Sequence, residues 1–575
     1  MNSPITVIAL CLLISCQGQH QNTPPNIVMF LVDDLGYGDL GCYGNETAKT
    51  PNVDRLAAEG VRLTRMYSHA TCTPSRASLL TGRLPVRQGL MKGDILPFDV
   101  LMSAASDAGL PHDETTIAEI LQSNGYVTAM FGKWHLGLGR NRRFLPTKHG
   151  FNSFFGTLFS HGQPCTTDYS GFRNLALFLH FLQTCFKIWK AIMLCVLFLW
   201  LTRLSSNKTT VIFLTSAALS CVMMYTYFYT LTALNPSTCI LFRNQNIVEQ
   251  PYKYENLTIR YTKEALTFMH QSLNAGSPFF VYMAYNQMHP PVFVSAKFKN
   301  ITGRGIYQDA LMEMDWSVGK ITKFLTERQL NNNTLIIFLS DNGPEIYRPG
   351  IGIILPAAMR GSAGVIVDGQ GESIYLRGHK TNNWEGGIRV PGIIKWTGKI
   401  PNAHTINVTT SLMDILPTVL DLIEIPYSGN NVLDGKSLVP LMFDKSLPSP
   451  HQFLFHYCDM HKPAAVTYGR FKAHFMHSPT AISCNGEELN PPLLFDIEAD
   501  PGESRPLQLE NYSEIISDIN QAVERHLITR LSDQFDSGSQ YDYMMWPWLF
   551  PCANFPFCHQ EITDDKDIQL EENEY

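Results

Sequence analysis

The stretch Cys-Thr-Pro-Ser-Arg-Ala-Ser-Leu-Leu-Thr-Gly-Arg, residues 72–83, carries more information than any other part of the chain. Pro74 near its start and Gly82 near its end predict a helix between them, because proline fits the first turn of a helix and glycine its end. Cys72 would then lie at the helix N-terminus, where free backbone N–H groups and the helix dipole favour an anion. The pattern therefore predicts an environment around Cys72 that favours an anionic group.

Four short apolar runs elsewhere in the chain each lead into polar residues. They are separated by amphipathic segments, which predicts an α/β domain with a largely parallel sheet. Ligands in open α/β sheets bind beyond the carboxyl ends of the strands, so we expect the polar residues to converge on one pocket. The runs and the residues that follow them are 27–32 with Asp33 and Asp34, 127–131 with Lys133 and His135, 279–285 with His289, and 335–339 with Asp341 and Asn342.

Each of these polar groups also has a structural explanation when it is taken alone. Asp-Asp and Asp-Asn-Gly are common in turns, because Asp and Asn side chains bond to their own backbone. Lys133 and His135 could equally be solvated loop residues, and His289 before two prolines a structural histidine. Their joint occurrence near strand ends, in types that suit an anionic ester, favours a functional site.

The same motifs resemble those of the type I sulfatase family. The signature Cys-x-Pro-Ser-Arg followed by Thr-Gly-Arg is present at residues 72–83, and the resemblance spans nearly the whole chain after residue 18. It implies an alkaline-phosphatase-like α/β fold with a smaller C-terminal α+β subdomain built on a short antiparallel sheet. The other segments that carry it are 26–39, 132–137, 340–343, 378–391 and 491–501.

The resemblance implies that Cys72 is not used as a thiol. A formylglycine-generating enzyme would convert it to Cα-formylglycine, and one hydroxyl of the hydrated aldehyde would attack a sulfate ester and displace the alcohol. The second hydroxyl would then lose its proton and expel sulfate. The other catalytic residues implied by motif position are Arg76 to brace the hydrate, Lys133 and His135 to hold and deprotonate it, and His289 and Lys380 to clamp sulfate and protonate the leaving oxygen.

The oxygen-bearing residues of these motifs suit one hard divalent cation. Carboxylate and amide oxygens describe a site for Ca²⁺ better than one for Zn²⁺, and the chain has no matching Cys/His set for zinc. Mg²⁺ is an alternative if waters complete its shell. The predicted ligands are Asp33, Asp34, Asp341, Asn342 and an oxygen of the modified Cys72.

Residues 173–236 form an apolar insertion in the middle of the chain. Residues 211–234 are 24 residues without a charge, enough to cross a bilayer core of about 30 Å. Their partner, 175–201, contains Lys187 and Lys190, which are costly at the bilayer centre. We predict a transmembrane helical hairpin with its basic connector in the cytosol, and a buried helical pair is the alternative. The hairpin resembles the family branch that includes steryl-sulfatase, and it favours an aryl or steroid-like hydrophobic sulfate ester that partitions into the lipid bilayer.

The start of the chain and its cysteines indicate the secretory route. Residues 1–18 resemble a signal peptide, with a buried N-terminal strand as the alternative. We therefore expect the chain in the endoplasmic reticulum membrane, or another secretory-pathway membrane, with its catalytic domain in the lumen. The disulfides expected there are Cys165–Cys239, Cys458–Cys484 and Cys552–Cys558, with Cys42 unpaired. Glycosylation sequons occur at Asn45, Asn207, Asn256, Asn300, Asn332, Asn407 and Asn511.

The expected organisation is a signal peptide (1–18), a first catalytic part (22–172), the membrane hairpin (173–236), a second catalytic part (237–445), a C-terminal subdomain (446–562) and an acidic disordered tail (563–575). The chain has a formal net charge of -7 and its sequence contains no basic block, so we do not expect nucleic acid as a partner. Two other functions stay open. One is a catalytically silent membrane-anchored protein whose Cys72 is never oxidised. The other is a phosphoesterase of the same fold, although such enzymes normally use two zinc ions and a Ser or Thr nucleophile.

Overall fold

The structure, a computed structural model, describes residues 24–91, 106–159, 239–345, 376–477 and 486–532, together with Cys165, four short strands between 347 and 375, and residues 549, 551–554 and 559–561. The predicted signal peptide, membrane hairpin and acidic tail lie outside these residues. Within the described part, no helix combines the length and the apolar character needed to cross a membrane.

Strands and helices alternate along the larger part of the chain. The strands are β1 Asn26–Val32, β2 Val61–Tyr67, β3 Val127–Lys133, β4 Ser153–Thr157, β5 Leu241–Arg243, β6 Asn246–Glu249, β7 Phe279–Tyr285, β8 Thr334–Ser340, β9 Tyr347–Arg348, β10 Ile353–Ile354, β11 Val365–Val367, β12 Ser373–Tyr375, β13 Arg389–Lys395, β14 His404–Ile406, β15 Thr410–Ser411, β16 Phe453–Tyr457, β17 Pro463–Tyr468, β18 Phe471–His477 and β19 Glu487–Asp496. The helices are α1 Pro51–Ala58, α2 Cys72–Thr81, α3 Ile117–Ser123, α4 Leu257–Asn274, α5 Ile306–Glu327, α6 Glu385–Ile388, α7 Ile415–Leu422, α8 Val439–Phe443 and α9 Ser513–Ser532.

An 11-stranded sheet forms the centre of the described catalytic part, in the order β14-β2-β13-β8-β1-β7-β3-β4-β5-β6, with β15 also paired to β2. Strands β1, β7 and β8 are buried along their whole length. This is why their sequences are continuous apolar runs rather than alternating ones, since helices cover both faces of a parallel sheet. The side chains of β1 point alternately into two hydrophobic cores, one on each face of the sheet. Ile27, Met29 and Leu31 face the core lined by α2, α3 and α7, and the residues between them face the core lined by α4 and α5.

The sheet is mixed rather than largely parallel. The five adjacent strands β8, β1, β7, β3 and β4 are parallel, as predicted. Strand β13 runs antiparallel to both of its neighbours, and β5 and β6 form an antiparallel edge. The direction of β13 follows from the segment before it. That segment already lies at the carboxyl edge of the parallel strands, where the Gly343 N–H donates to the Gly387 carbonyl at 2.9 Å, so the chain must run back across the sheet.

A second, four-stranded antiparallel sheet follows in the order β16-β17-β18-β19. Helix α9 packs on it through Ile519, which meets Val466, Ala473 and Leu494 in a small apolar core. This is the short antiparallel sheet expected of the C-terminal subdomain. The exact boundaries between the parts of the chain stay predictions.

One of the expected disulfides is present as predicted. Cys165 and Cys239 are bridged, and Cys42 is unpaired, as expected. Cys458 and Cys552 each take part in a disulfide as well, but not with each other. Their expected partners, Cys484 and Cys558, lie outside the described residues, so those two pairings stay predictions.

Candidate active site

The predicted helix is present and begins at Cys72. Helix α2 spans Cys72–Thr81 and ends at Gly82, whose left-handed backbone (φ +70°) lets its N–H bond to the Ser78 carbonyl at 2.8 Å. The helix follows β2, which has the same direction as β8 across the antiparallel β13. Cys72 therefore lies at the edge of the sheet where β1 and β8 also end.

Three carboxylates meet Cys72 at this edge. Asp33 and Asp34 follow β1, and Asp341 follows β8; all three are buried. A carboxylate oxygen from each and the Cys72 Sγ lie within 4.8 Å of one another. The Sγ itself is 3.3 Å from Asp33 Oδ1 and 3.9 Å from Asp34 Oδ1. Since burying several like charges together is costly, the arrangement requires positive charge close to the carboxylates.

Asn342 adds an unsatisfied acceptor to these carboxylates. Its Nδ2 donates to Asp34 Oδ1 at 2.7 Å and to the Gly343 carbonyl at 2.9 Å. Its Oδ1 is buried and has no hydrogen-bond partner among the described residues. Buried side-chain oxygens are nearly always paired, so this one needs an explanation. A hard cation such as Ca²⁺, which binds oxygen ligands, would explain the unpaired oxygen, and the residues present fit such a cation.

Three cationic side chains each contact one of the carboxylates. The Arg76 guanidinium donates to Asp341 Oδ2 at 2.9 and 2.7 Å, and also to the Lys133 carbonyl at 2.7 Å. Lys133 Nζ lies 2.6 Å from Asp33 Oδ2. Lys380 Nζ lies 2.8 and 2.9 Å from the two oxygens of Asp34. We call these six residues, with Cys72 and Asn342, the Asp34 cluster.

The three carboxylates of the Asp34 cluster differ in how strongly their surroundings favour the charged form. Burial, with Asp33 and Glu345 nearby, raises the pKa of Asp34 to about 8 in spite of Lys380. Burial would also raise the pKa of Asp33, but Lys133 and the other surrounding cations hold it well below its usual range. Burial and Asp33 raise the pKa of Asp341. A divalent cation would favour the ionised form of all three carboxylates.

Two histidines complete the predicted set. His135 is buried, and its pKa is lowered well below the usual value by burial and then by Lys133 and Arg76. Its carbonyl accepts the Thr73 hydroxyl at 2.9 Å, which ties it to helix α2, and its Nδ1 has no hydrogen-bond partner in the described part of the chain. His289 Nδ1 lies 2.7 Å from the Pro290 carbonyl, while its Nε2 is 3.9 Å from Asp34 Oδ2. The structure thus brings every predicted site residue to one edge of the sheet; their roles stay predictions.

Glu345 is a site residue that the sequence analysis missed. Its Oε2 lies 3.3 Å from Lys380 Nζ and 3.7 Å from His289 Nε2. The available signal was its position four residues after Asp341, in the same turn that follows β8.

The segment that carries Lys380 is fixed by backbone contacts with both neighbouring turns. The Lys380 N–H donates to the Pro344 carbonyl at 3.1 Å, and the Thr381 N–H donates to the Ala70 carbonyl at 2.7 Å. A Cβ on Gly343 would lie 2.0 Å from the Gly386 carbonyl oxygen, so only glycine permits this approach.

A second group of buried charges anchors the same segment to the C-terminal sheet. Lys472 Nζ, on β18, lies 2.9 Å from Glu385 Oε1 and 3.2 Å from Glu503 Oε1. The Glu385 N–H donates to Glu503 Oε2 at 2.6 Å, and His474 Nε2 lies 2.6 Å from Glu503 Oε1. We call these four residues the Glu385 cluster. No pattern in the sequence indicated it.

Comparisons with known proteins agree with this architecture. The family described as Sulfatase matches residues 25–425, and the family described as C-terminal region of aryl-sulfatase matches residues 449–560. Steryl-sulfatase of Homo sapiens is 36% identical over 567 residues, covering 93% of this chain and 93% of its own length. Arylsulfatase D of Homo sapiens is 35% identical, covering 96% of this chain and 95% of its own. The crystal structure of the PsFucS1 sulfatase from Pseudoalteromonas sp. superposes with a TM-score of 0.67 at 26% identity, covering 93% of this chain and 96% of that one.

Proposed function

Since this chain belongs to the sulfatase family and is a sulfuric ester hydrolase, we propose that it cleaves sulfate esters of aryl or steroid-like alcohols. The nucleophile is the hydrated aldehyde of a formylglycine made from Cys72, and the cofactor is one Ca²⁺. The observation that carries this proposal is the position of Cys72, at the start of α2 and within 3.3 Å of a buried carboxylate cluster. The Sγ occupies the position that an oxygen of the hydrate, bonded to Cβ, would take.

The carboxylates of the Asp34 cluster, Asn342 Oδ1 and an oxygen of the modified Cys72 would hold the cation. When bound, Ca²⁺ supplies positive charge that polarises a sulfate oxygen and favours the ionised nucleophile. The unpartnered Asn342 Oδ1 supports its place as a ligand. Arg76 holds Asp341 through two N–H bonds from one guanidinium, which fixes the direction of that carboxylate.

Proton transfer is assigned to the side chains around position 72. His135 Nδ1, which lacks a hydrogen-bond partner among the described residues, can take the proton that the nucleophile loses. Lys133 orients Asp33 beside Cys72. Lys380 and His289 bind the sulfate on the other side of Asp34, and one of them protonates the leaving oxygen.

The apolar substrate and the membrane location belong to the same proposal. The Cys165–Cys239 bridge joins the two ends of the segment that contains the predicted hairpin. This supports a hairpin fixed at its base and inserted in the endoplasmic reticulum membrane, next to a luminal catalytic domain. Extraction of membranes with alkaline carbonate tests it. We expect the protein to stay with the membrane, and release into the supernatant would contradict the insertion.

Substitution of Cys72 tests the catalytic proposal. Cys72→Ala abolishes turnover of an aryl sulfate, because no oxygen nucleophile is left. Cys72→Ser supplies a single hydroxyl, so the protein is sulfated once and then stalls, which mass spectrometry of the peptide detects. The matched control is Cys42→Ala, since Cys42 is also a free cysteine but lies outside the site. Full turnover by Cys72→Ala would refute the mechanism.

A further inference from the structure

Glu345 is the most exposed carboxylate near the reacting groups. Its side chain is 10% exposed, against 1% for Asp34 and 0% for Asp33 and Asp341. It lies on the side of Asp34 that faces His289, and one carboxylate oxygen from each of Asp34 and Glu345 lies within 4.8 Å of the other and of a His289 nitrogen. Glu345 is therefore at the outer end of the site, next to the groups that contact the sulfate.

The charge of Glu345 is only partly balanced by its neighbours. Lys380 Nζ is closer to Asp34, at 2.8 Å, than to Glu345, at 3.3 Å. In the proposed function the Lys380 ammonium must also bind the sulfate group of the substrate. A second anion brought to this place therefore meets a carboxylate that solvent screens only weakly.

We propose that Glu345 is a specificity-determining residue that excludes sulfate esters whose leaving group carries a second negative charge close to the ester. This rests on the proposed function, which assigns Lys380 and His289 to the sulfate and the leaving oxygen. The leaving group must depart toward solvent, because the inner side of the site is occupied by the buried carboxylates and α2. In this proposal it passes Glu345, the most exposed carboxylate of the site, so neutral phenols and alcohols are accepted and anionic ones are repelled.

The test compares 4-carboxyphenyl sulfate with its methyl ester, a pair that differs by one charge on the leaving group. The quantity measured is the ratio of kcat/KM for the methyl ester to kcat/KM for the carboxylate. The fraction of misfolded protein does not affect this ratio, because it is the same for both esters. The contribution of the sulfate group cancels for the same reason. We expect Glu345→Gln to lower the ratio by about tenfold, the effect of removing one nearby charge at the effective dielectric of a protein surface.

Two further variants separate charge from structure. Glu345→Asp keeps the charge and is expected to keep the wild-type ratio. Glu327→Gln makes the same charge change on an exposed helix end, where Glu327 pairs with Lys323, and is expected to leave the ratio unchanged. If Glu345→Gln does not fold, Glu345→Ala replaces it with the same expectation.

The outcomes distinguish this inference from the proposed function. A ratio that stays within twofold of the wild type in Glu345→Gln, with the methyl ester still hydrolysed, overturns the role of Glu345 alone. It would mean that Glu345 only holds Lys380. No hydrolysis of either ester by the wild-type protein overturns the proposed function, and this inference falls with it.

Discussion

The Asp34 cluster and the Glu385 cluster are both buried groups of charges, but they are arranged in opposite ways. In the Glu385 cluster the Lys472 ammonium lies between two carboxylates. Burial would raise the pKa of Glu385, yet Lys472 and Arg389 hold it below its usual value. In the Asp34 cluster each carboxylate also has a cationic partner, but the three carboxylates crowd around Cys72 and the pKa of Asp34 is raised. A common cation between carboxylates stabilises the fold, whereas carboxylates crowded together, one of them with a raised pKa, can accept a further cation.

The largest expected difference between the clusters is in activity. Asp34→Asn should lower kcat/KM for an aryl sulfate by at least about 100-fold, because side chains that merely orient a metal ligand already contribute 10–100-fold. The same variant should be no less stable than the wild type in a metal chelator, because burial and the nearby carboxylates oppose ionised Asp34 more than Lys380 favours it. Kinetics and urea unfolding measure the two effects. Retained activity would contradict the assignment of Asp34 as a ligand.

The Glu385 cluster should show the reverse pattern. Lys472→Met leaves two carboxylates buried without their common cation, which we expect to lower the free energy of unfolding by about 3–5 kcal/mol. The matched control is Lys323→Met, because Lys323 pairs with Glu327 on an exposed helix end and such a pair contributes about 0–1 kcal/mol. Equal losses in the two variants, measured by urea unfolding, would break the distinction between the clusters.

Calcium should stabilise the protein through the Asp34 cluster only. At a free Ca²⁺ concentration 100 times the dissociation constant we expect a gain of about 2.7 kcal/mol over the chelated protein. Lys472→Met should keep this gain and Asp34→Asn should lose it. Thermal unfolding with Ca²⁺ or with chelator measures the difference. The same gain in Asp34→Asn would place the cation elsewhere.

A smaller effect on stability is expected at a buried ion pair outside both clusters. His451 Nε2 lies 2.7 Å from Asp414 Oδ1. Burial would lower the pKa of His451, but Asp414 raises it above the usual value of 6.5. The pair therefore stabilises the fold fully below that value, and the contribution is lost as the pH rises through the higher pKa of the folded state. His451→Gln should cost about 1 kcal/mol more at acidic than at alkaline pH. An equal cost at both would contradict a charged pair.

The part of the site that the sequence could predict is the part encoded in local patterns. Apolar runs followed by Asp33-Asp34 and Asp341-Asn342 indicated strands with polar ends, and Pro74 and Gly82 indicated the helix after Cys72. The prediction of a largely parallel sheet missed the antiparallel β13, because its direction depends on where the preceding segment lies in the folded chain rather than on the strand itself.

The Glu385 cluster could not be found in this way. Lys472 is 87 residues from Glu385, and Glu385 is 118 residues from Glu503. In sequence these residues resemble ordinary solvated charges. Only the packing of β18 against the segment before β13 buries them together.

The proposed mechanism requires residue 72 to act through an oxygen of the hydrated aldehyde rather than through sulfur. Preparations with different degrees of conversion can be compared by peptide mass spectrometry across residue 72 and by turnover of an aryl sulfate. We expect specific activity to rise in proportion to the aldehyde fraction and to vanish when only the thiol is present. Full activity in a preparation whose Cys72 is entirely unmodified would contradict it.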